Sequence, residues 1–166
     1  MHAVIRTDLM TGTDVCPDLR SLEYMGAGST ATDIDNGNVV KLAGLMTGER
    51  EVWKAVTPAA NDALKDIVIV ANPEVFYDER KHNLDEFYTP AGTIARGYVV
   101  HENDIFSVTA DALSAEADIE VGNIVELQAG TKLKVVSTAT NSSTTLGKII
   151  AIETAGKYTY YVIEIG

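Results

Sequence analysis

The chain has 166 residues, of which 46% are hydrophobic and 22% are charged, and its formal net charge is -11 at pH 7. This composition is typical of a folded globular domain and excludes a wholly disordered chain, while the acidic surplus repels phosphate backbones and argues against a nucleic-acid partner. No apolar run approaches the roughly 18 residues that a membrane span needs, so no membrane partner is expected.

The first 37 residues are rich in Thr, Asp, Gly and Ser and have few bulky apolar side chains. Within them, the segment GAGSTATDIDNGN at residues 26–38 has almost nothing to bury. Such a composition is typical of loops and turns. We therefore expect residues 1–37 to form an extended N-terminal arm or loop, and residues 38–166 to form a β-rich domain.

Short runs rich in Val, Ile, Tyr and Thr follow, separated by turn residues, and each predicts a β strand. These runs lie at residues 39–43, 51–56, 67–71, 94–100, 104–109, 123–129, 132–138, 146–154 and 157–165. Short helical turns are expected at residues 58–65, with Thr57 as the N-cap, and at residues 78–87.

Apolar and polar residues alternate in the runs at 123–129 and 132–138, and the links between the C-terminal runs are short. This pattern predicts a meander of antiparallel hairpins. The last two runs are apolar on both faces, so they need cover from a second sheet, from barrel closure or from a neighbouring subunit. The predicted fold is mainly β, an antiparallel small barrel or sandwich with a C-terminal meander.

Two features of the sequence suggest chemistry but lack the surroundings which that chemistry needs. Cys16 is the single cysteine, which excludes an intrachain disulfide and a multi-thiolate zinc site, and it lacks the cationic support that a catalytic thiol needs. Gly26, Gly28 and Ala31 have the spacing of a dinucleotide-binding fingerprint. That motif works only between a strand and a helix, whereas turn-forming residues follow it here, so we expect a loop.

Acidic residues at Asp33 and Asp35, followed by Asn36, suggest a calcium loop. The match fails, because residues 38 and 44 of such a loop would have to be glycine and glutamate, and the chain has Asn38 and Gly44. A turn at residues 36–37 before a strand is the better interpretation. An adventitious metal ion at these carboxylates stays open as an alternative.

The histidines are His2, His82 and His101, and none is close in sequence to another His or to Cys. A polar pocket that holds His101 with Glu102 or Asp104 would favour an enzyme or a ligand-binding domain. The sequence spacing of the three histidines fits neither a metal site nor a catalytic triad. We predict no catalytic, cofactor-binding or metal-ligating residue, and no cofactor.

Aromatic residues concentrate within residues 76–106, around the charged segment 78–86; they are Phe76, Tyr77, Phe87, Tyr88, Tyr98 and Phe106. Two interpretations are open. The rings either pack in a core beneath a long loop or form a protein–protein contact, since Tyr and Phe are favoured at interface centres. The candidate partner-binding residues are Phe76, Tyr77, Phe87 and Tyr88.

Four segments together resemble the small, acidic, β-rich head decoration (capsid cement) proteins of tailed bacteriophages. They are VVKLAGLMTGEREVWKAVTPA (39–59), IVIVANPEVFYDERKHNLDEFYTPAGTIARGYVVHENDIFSVT (67–109), VGNIVELQAGTKLKVV (121–136) and GKIIAIETAGKYTYYVIEI (147–165). The resemblance rests on the order of these segments and supplies no individual contact residue.

The resemblance implies a virion structural protein, not an enzyme, that binds the outer surface of the major capsid protein lattice and stabilises the expanded head. Its partners would be the major capsid protein and neighbouring decoration subunits, with a trimer as one arrangement. It would be made in the host cytoplasm, and the arm could order on the shell. Another phage structural module, such as a tail or head-fibre component, and a small β-barrel enzyme or ligand-binding domain are the alternatives.

Overall fold

A computed structural model of the protein describes residues 2–9 and 18–166. Twelve strands in this described part form a closed five-stranded barrel and a seven-stranded sheet. The strands are β1 (Ile5–Leu9), β2 (Leu19–Met25), β3 (Val39–Leu45), β4 (Val52–Val56), β5 (Ile67–Val70), β6 (Ala95–Val99), β7 (Ile105–Val108), β8 (Leu113–Ala115), β9 (Ile124–Glu126), β10 (Leu133–Val136), β11 (Thr145–Ala155) and β12 (Tyr158–Ile165). Single 3-10 turns lie at Ala27–Ser29, Leu64–Asp66, Leu84–Glu86 and Ala110–Ala112.

The barrel has the strand order β2-β4-β3-β5-β6, and β6 pairs with β2 to close it. Aliphatic side chains such as Leu22 and Val68 are buried and pack together in its interior. Gly97 on β6 faces these two residues, and a Cβ added there would lie 2.6 Å from Leu22 Cδ2 and 2.9 Å from Val68 Cγ2. A glycine at this position lets the barrel close around its own side chains.

The sheet has the order β1-β7-β12-β11-β9-β10-β8. Strand β5 joins this sheet to the barrel, because all four of its residues are buried. Val68 and Val70 point into the barrel, whereas Ile67 and Ile69 pack in the core that the barrel shares with the sheet. Alternation along a strand places neighbouring residues on opposite faces, so a strand that is apolar at every position lies between two cores.

The fold class and the strand predictions are confirmed: a strand of the structure lies within or overlaps each predicted run from residue 39 onward. The prediction of an extended arm over residues 1–37 is wrong for the described part of this range. There, β1 is an edge strand of the sheet and β2 is a barrel strand. In place of an extended arm, this part buries Val4, Leu22 and Ile34. Strand β8 was also unforeseen, and the helical turns are shorter than expected, since residues 58–63 are not helical.

The predicted C-terminal meander is wrong at one link. Strands β10 and β11 are consecutive in sequence but are not neighbours, because β9 lies between them and pairs with both. The link between them is fastened by Glu126, which is fully buried on β9 and accepts hydrogen bonds from the backbone N–H and the hydroxyl of Thr140, at 2.5 and 2.6 Å. A buried carboxylate needs such donors, and Thr140 supplies two of them.

The expectation that both faces of the last two strands are covered is confirmed for β12, and it does not hold at the end of β11, where residues 152–155 are exposed. Ile163 and Ile165 lie in the shared core, while Tyr160 on the opposite face is also buried. The guanidinium of Arg6 on β1 lies 4.4 Å from the centre of the Tyr160 ring. Ile152 on β11 lies toward the tip of the β11–β12 hairpin and stays 40% exposed.

Candidate partner-binding groove

The connection between β5 and β6, residues 71–94, is the longest between consecutive strands in residues 18–166. Asn72 joins its two ends: its amide donates to Thr89 Oγ1 at 2.7 Å, and its side-chain oxygen accepts the N–H of Arg96 at 2.6 Å. The backbone of Asn72 is in turn held by the buried side chain of Asn36, through two hydrogen bonds of 2.8 Å. Thr89 is buried and pairs with Ile34 through two backbone hydrogen bonds.

An open groove of about 570 Å³ lies along this connection. All four candidate residues from the sequence, Phe76, Tyr77, Phe87 and Tyr88, line it. Further apolar lining comes from Pro73, Val75, Pro90 and Ile94. We refer to this surface as the aromatic groove.

The aromatic groove exposes large apolar side chains to water. Tyr77 is 97% exposed, Val75 is 58% exposed and Ile94 is 54% exposed. Scattered apolar residues are ordinary on a protein surface, whereas a contiguous apolar patch marks an interaction site or a binding groove. The three residues line one groove, so they form such a patch.

The other aromatic residues of the groove are held in place before any partner binds. Phe76 and Phe87 are half-buried and meet edge to face, with ring centres 5.8 Å apart and planes at 83°. Tyr88 stacks on the His2 ring at 4.8 Å, and the Lys81 Nζ lies 5.3 Å from the centre of the Tyr88 ring. Preorganised aromatic rings lose little conformational entropy on binding, which is how interface anchors work.

The carboxylates beside the groove are engaged by donors of their own loop. A side-chain hydrogen bond from Arg80 lowers the pKa of Asp78, and the backbone N–H groups of Asn83 and His82 lower the pKa of Glu86. Each carboxylate is therefore ionised at neutral pH, and each already accepts hydrogen bonds within residues 78–86. They shape the loop that carries the aromatic residues.

The structure separates the remaining aromatic residues of the cluster. Phe106 is fully buried in the shared core, and Tyr98 is partly buried against the same core. The core interpretation therefore holds for these two residues, whereas the four candidate residues line an open surface.

The residues around His101 build a turn. The backbone N–H of His101 donates to the Asp104 carboxylate at 3.0 Å, and Asn103 has a positive φ of 71°. The His101 ring lies 3.0 Å from Asp18 Oδ1 with its side chain 44% exposed, and Glu102 is exposed. These contacts connect β6 to β7 and leave His101 facing solvent.

The acidic residues before β3 point to different partners. Asp33 accepts the N–H of Ala91 at 2.7 Å, and Asp35 Oδ1 lies 2.8 Å from His2 Nδ1. The predicted turn at residues 36–37 is confirmed, with Gly37 at a φ of 82° that favours glycine. Within residues 2–9 and 18–166, no group of three or more His, Cys, Asp or Glu residues could hold a metal ion.

Of Cys16 and the glycine spacing that suggests a dinucleotide-binding fingerprint, the structure describes only the second. Gly28 lies in the 3-10 turn Ala27–Ser29 with a φ of 70°, so the predicted loop is confirmed there. Cys16 lies outside the described residues. In the part of the chain that the structure describes, no helix is long and apolar enough to cross a membrane.

Some of the residues that fasten the groove lie outside its own loop and were not predicted from the sequence. The backbone N–H of His2 donates to the carbonyl oxygen of Asp85 at 2.9 Å. The side chain of Asp85 accepts hydrogen bonds from Lys157 Nζ and the Tyr158 hydroxyl, both at 3.0 Å. These partners are far apart in sequence, and no local pattern marks them.

Comparison of the chain with protein-family models, with curated proteins and with solved structures found no match.

Proposed function

We propose that this protein is a virion structural protein of a tailed bacteriophage, and that it binds the outer surface of the major capsid protein lattice and stabilises the expanded head. The observation that carries the proposal is the aromatic groove, an exposed and prearranged apolar surface on a well-packed β scaffold. The resemblance of the sequence to head decoration proteins supplies the class of partner.

Binding is favoured over catalysis by the chemistry of the groove. Its exposed side chains are mainly aromatic and aliphatic, and the carboxylates Asp78 and Glu86 already accept hydrogen bonds from their own loop. Apolar and aromatic surface contributes free energy of association when it leaves water, whereas a catalytic site needs groups free to act on a substrate. The groove therefore serves as a contact surface.

The net charge of -11 favours the same assignment. Unassembled copies repel one another and stay soluble, and they bind most readily to a shell surface that is neutral or basic around its apolar contacts. Each contact on the shell can be modest, since an ordinary interface buries about 800 Å² per partner. Linked contacts that span several capsid subunits give a higher overall affinity than any one of them, because each bound contact raises the effective concentration of the next.

Cosedimentation tests the proposal. Purified protein is mixed with expanded capsids that lack it, with unexpanded shells of the same capsid protein, and with purified tails. Saturable binding to expanded capsids at hundreds of copies per particle is the expected result. Saturation at a dozen copies or fewer, or binding to tails alone, would instead support a tail or head-fibre component. Absence of binding to any of these particles would overturn the assignment to the virion.

A further inference from the structure

The loop that carries the aromatic groove belongs to the barrel, and it is also fastened from the side of the seven-stranded sheet. The groove residues Phe87 and Tyr88 follow the 3-10 turn Leu84–Glu86, between the barrel strands β5 and β6. The contacts that fix this turn from outside come from His2, which precedes β1, and from the tip of the β11–β12 hairpin. The groove geometry therefore depends on contacts between the two layers.

His2 contacts three separate points. Its backbone N–H donates to the Asp85 carbonyl oxygen at 2.9 Å, its Nδ1 lies 2.8 Å from Asp35 Oδ1, and its ring stacks on Tyr88 with 27° between the ring planes. Asp35 follows Ile34, which is paired with Thr89. His2 thus holds the Tyr88 ring beside the segment to which Thr89 is already fastened.

The residues after His2 anchor it firmly. Ala3 and Val4 are buried at 1% and 2% exposure. Val4 exchanges two hydrogen bonds with Thr109: its N–H donates to the Thr109 hydroxyl, and its carbonyl oxygen accepts the Thr109 N–H. The side chain of His2 is 40% exposed, so its contacts contribute little to the core and act on the loop surface.

We infer that residues 2–4, which we term the N-terminal clamp, position the partner-binding surface of the aromatic groove. His2 is the positioning residue, and Tyr88 is the groove residue that it orients. When the clamp is docked, Tyr88 contacts both His2 and Lys81 and is held in a binding-competent arrangement. When the clamp is released, the segment 84–88 keeps its link to the hairpin but loses the ring contact that orients Tyr88. The assignment of the groove as a partner site rests on the proposed function, whereas the clamp itself is a property of the free protein.

Amide hydrogen exchange of the free protein tests the clamp with His2→Ala. The probes are the hydrogen-bonded amides of Glu86, Phe87 and Thr89. We expect exchange at these amides to become about tenfold faster, since one stacked ring pair and one side-chain hydrogen bond are lost. The amides of β5 should exchange at the unchanged rate, because β5 lies between the two cores. Substitution is preferable to deletion of residues 1–20, which would remove β1 and the start of β2.

Two further variants separate positioning from general stability. His2→Phe keeps an aromatic ring for Tyr88 and loses the Asp35 contact, so it should accelerate loop exchange by only about threefold. His82→Ala is the matched control, because His82 is an exposed histidine of the same loop, and it should leave exchange unchanged. Unchanged loop exchange in His2→Ala, or equal acceleration in β5, would overturn the clamp.

Affinity for expanded capsids provides the functional readout. We expect His2→Ala to weaken binding about fivefold and His2→Phe to restore most of it, with His82→Ala unchanged. Full affinity in His2→Ala together with faster loop exchange would show that the clamp does not position the binding surface, and would overturn that part of the inference. Failure of the unsubstituted protein to bind capsids would refute the proposed function, while the exchange experiment would still decide whether the clamp exists.

Discussion

Substitution of Tyr77 should change the affinity for capsids while leaving the stability of the folded protein almost unchanged. The residue is 97% exposed, so Tyr77→Ala removes almost no intramolecular packing. We expect the free energy of unfolding to change by less than about 0.5 kcal/mol, which is the ordinary range for a surface substitution.

The effect on binding is expected to be much larger. An aromatic side chain buries about 150–250 Å², which at about 25 cal/mol per Å² gives an upper bound near 4–6 kcal/mol. Immobilising the side chain and imperfect pairing of its hydroxyl reduce that figure. We therefore expect Tyr77→Ala to weaken the free energy of binding to capsids by about 2 kcal/mol. This loss corresponds to a roughly 30-fold higher Kd for capsids.

The assay combines thermal unfolding of the free protein with titration of capsids by labelled protein. Val121→Ala is the control, because Val121 is 60% exposed but does not line the groove, and its affinity should stay unchanged. Phe87→Ala should lower both stability and affinity, since Phe87 packs edge to face on Phe76. Unchanged affinity in Tyr77→Ala, or an equal loss in Val121→Ala, would refute the role of the groove.

Two further predictions concern the scaffold. Gly147→Ala should destabilise the protein by more than about 4 kcal/mol, because its Cβ would lie 2.0 Å from the Glu164 carbonyl oxygen on β12. Gly130→Ala should be nearly neutral, because its Cβ would make only an ordinary contact with Gln128 Cγ, at 3.9 Å. Urea unfolding of both variants checks this, and similar stabilities would contradict the β11–β12 register. The pKa of Asp85 is lowered chiefly by its hydrogen bond from Lys157, so the carboxylate contributes stability above its unfolded pKa of about 3.9 and loses that contribution as pH falls through the lower folded pKa. The stability difference between the unsubstituted protein and Asp85→Asn should therefore shrink below about pH 4, and a difference that stays constant from pH 7 to pH 3 would contradict the assignment.

Local patterns in the sequence were sufficient for most of the fold. Alternation and β-branched residues mark the strands from β3 onward except β8, and each of these strands buries at least one apolar side chain. Strand β2 was missed since only Leu22 and Tyr24 are buried along it, among polar neighbours. Strand β8 has three residues and pairs in parallel with β10, and such a short edge has no periodic signal.

The groove was predictable only in part. The aromatic residues flank one charged loop, so their grouping is visible in sequence, and the structure places all four candidates around the same groove. The contacts that shape it join Asn36 to Asn72 between two connections of the barrel, and His2 to Asp85 between the sheet side and the barrel. Pairings at such separations follow from barrel closure and from the packing of barrel against sheet, and no local propensity encodes them.

Cryo-electron microscopy of mature virions, with and without this protein, tests the central claim most directly. We expect additional density on the outer capsid surface at capsomer boundaries, with residues 71–94 of the fitted structure against the major capsid protein. Virions that lack this exterior density, or in which the groove faces solvent while another surface contacts the shell, would contradict the account.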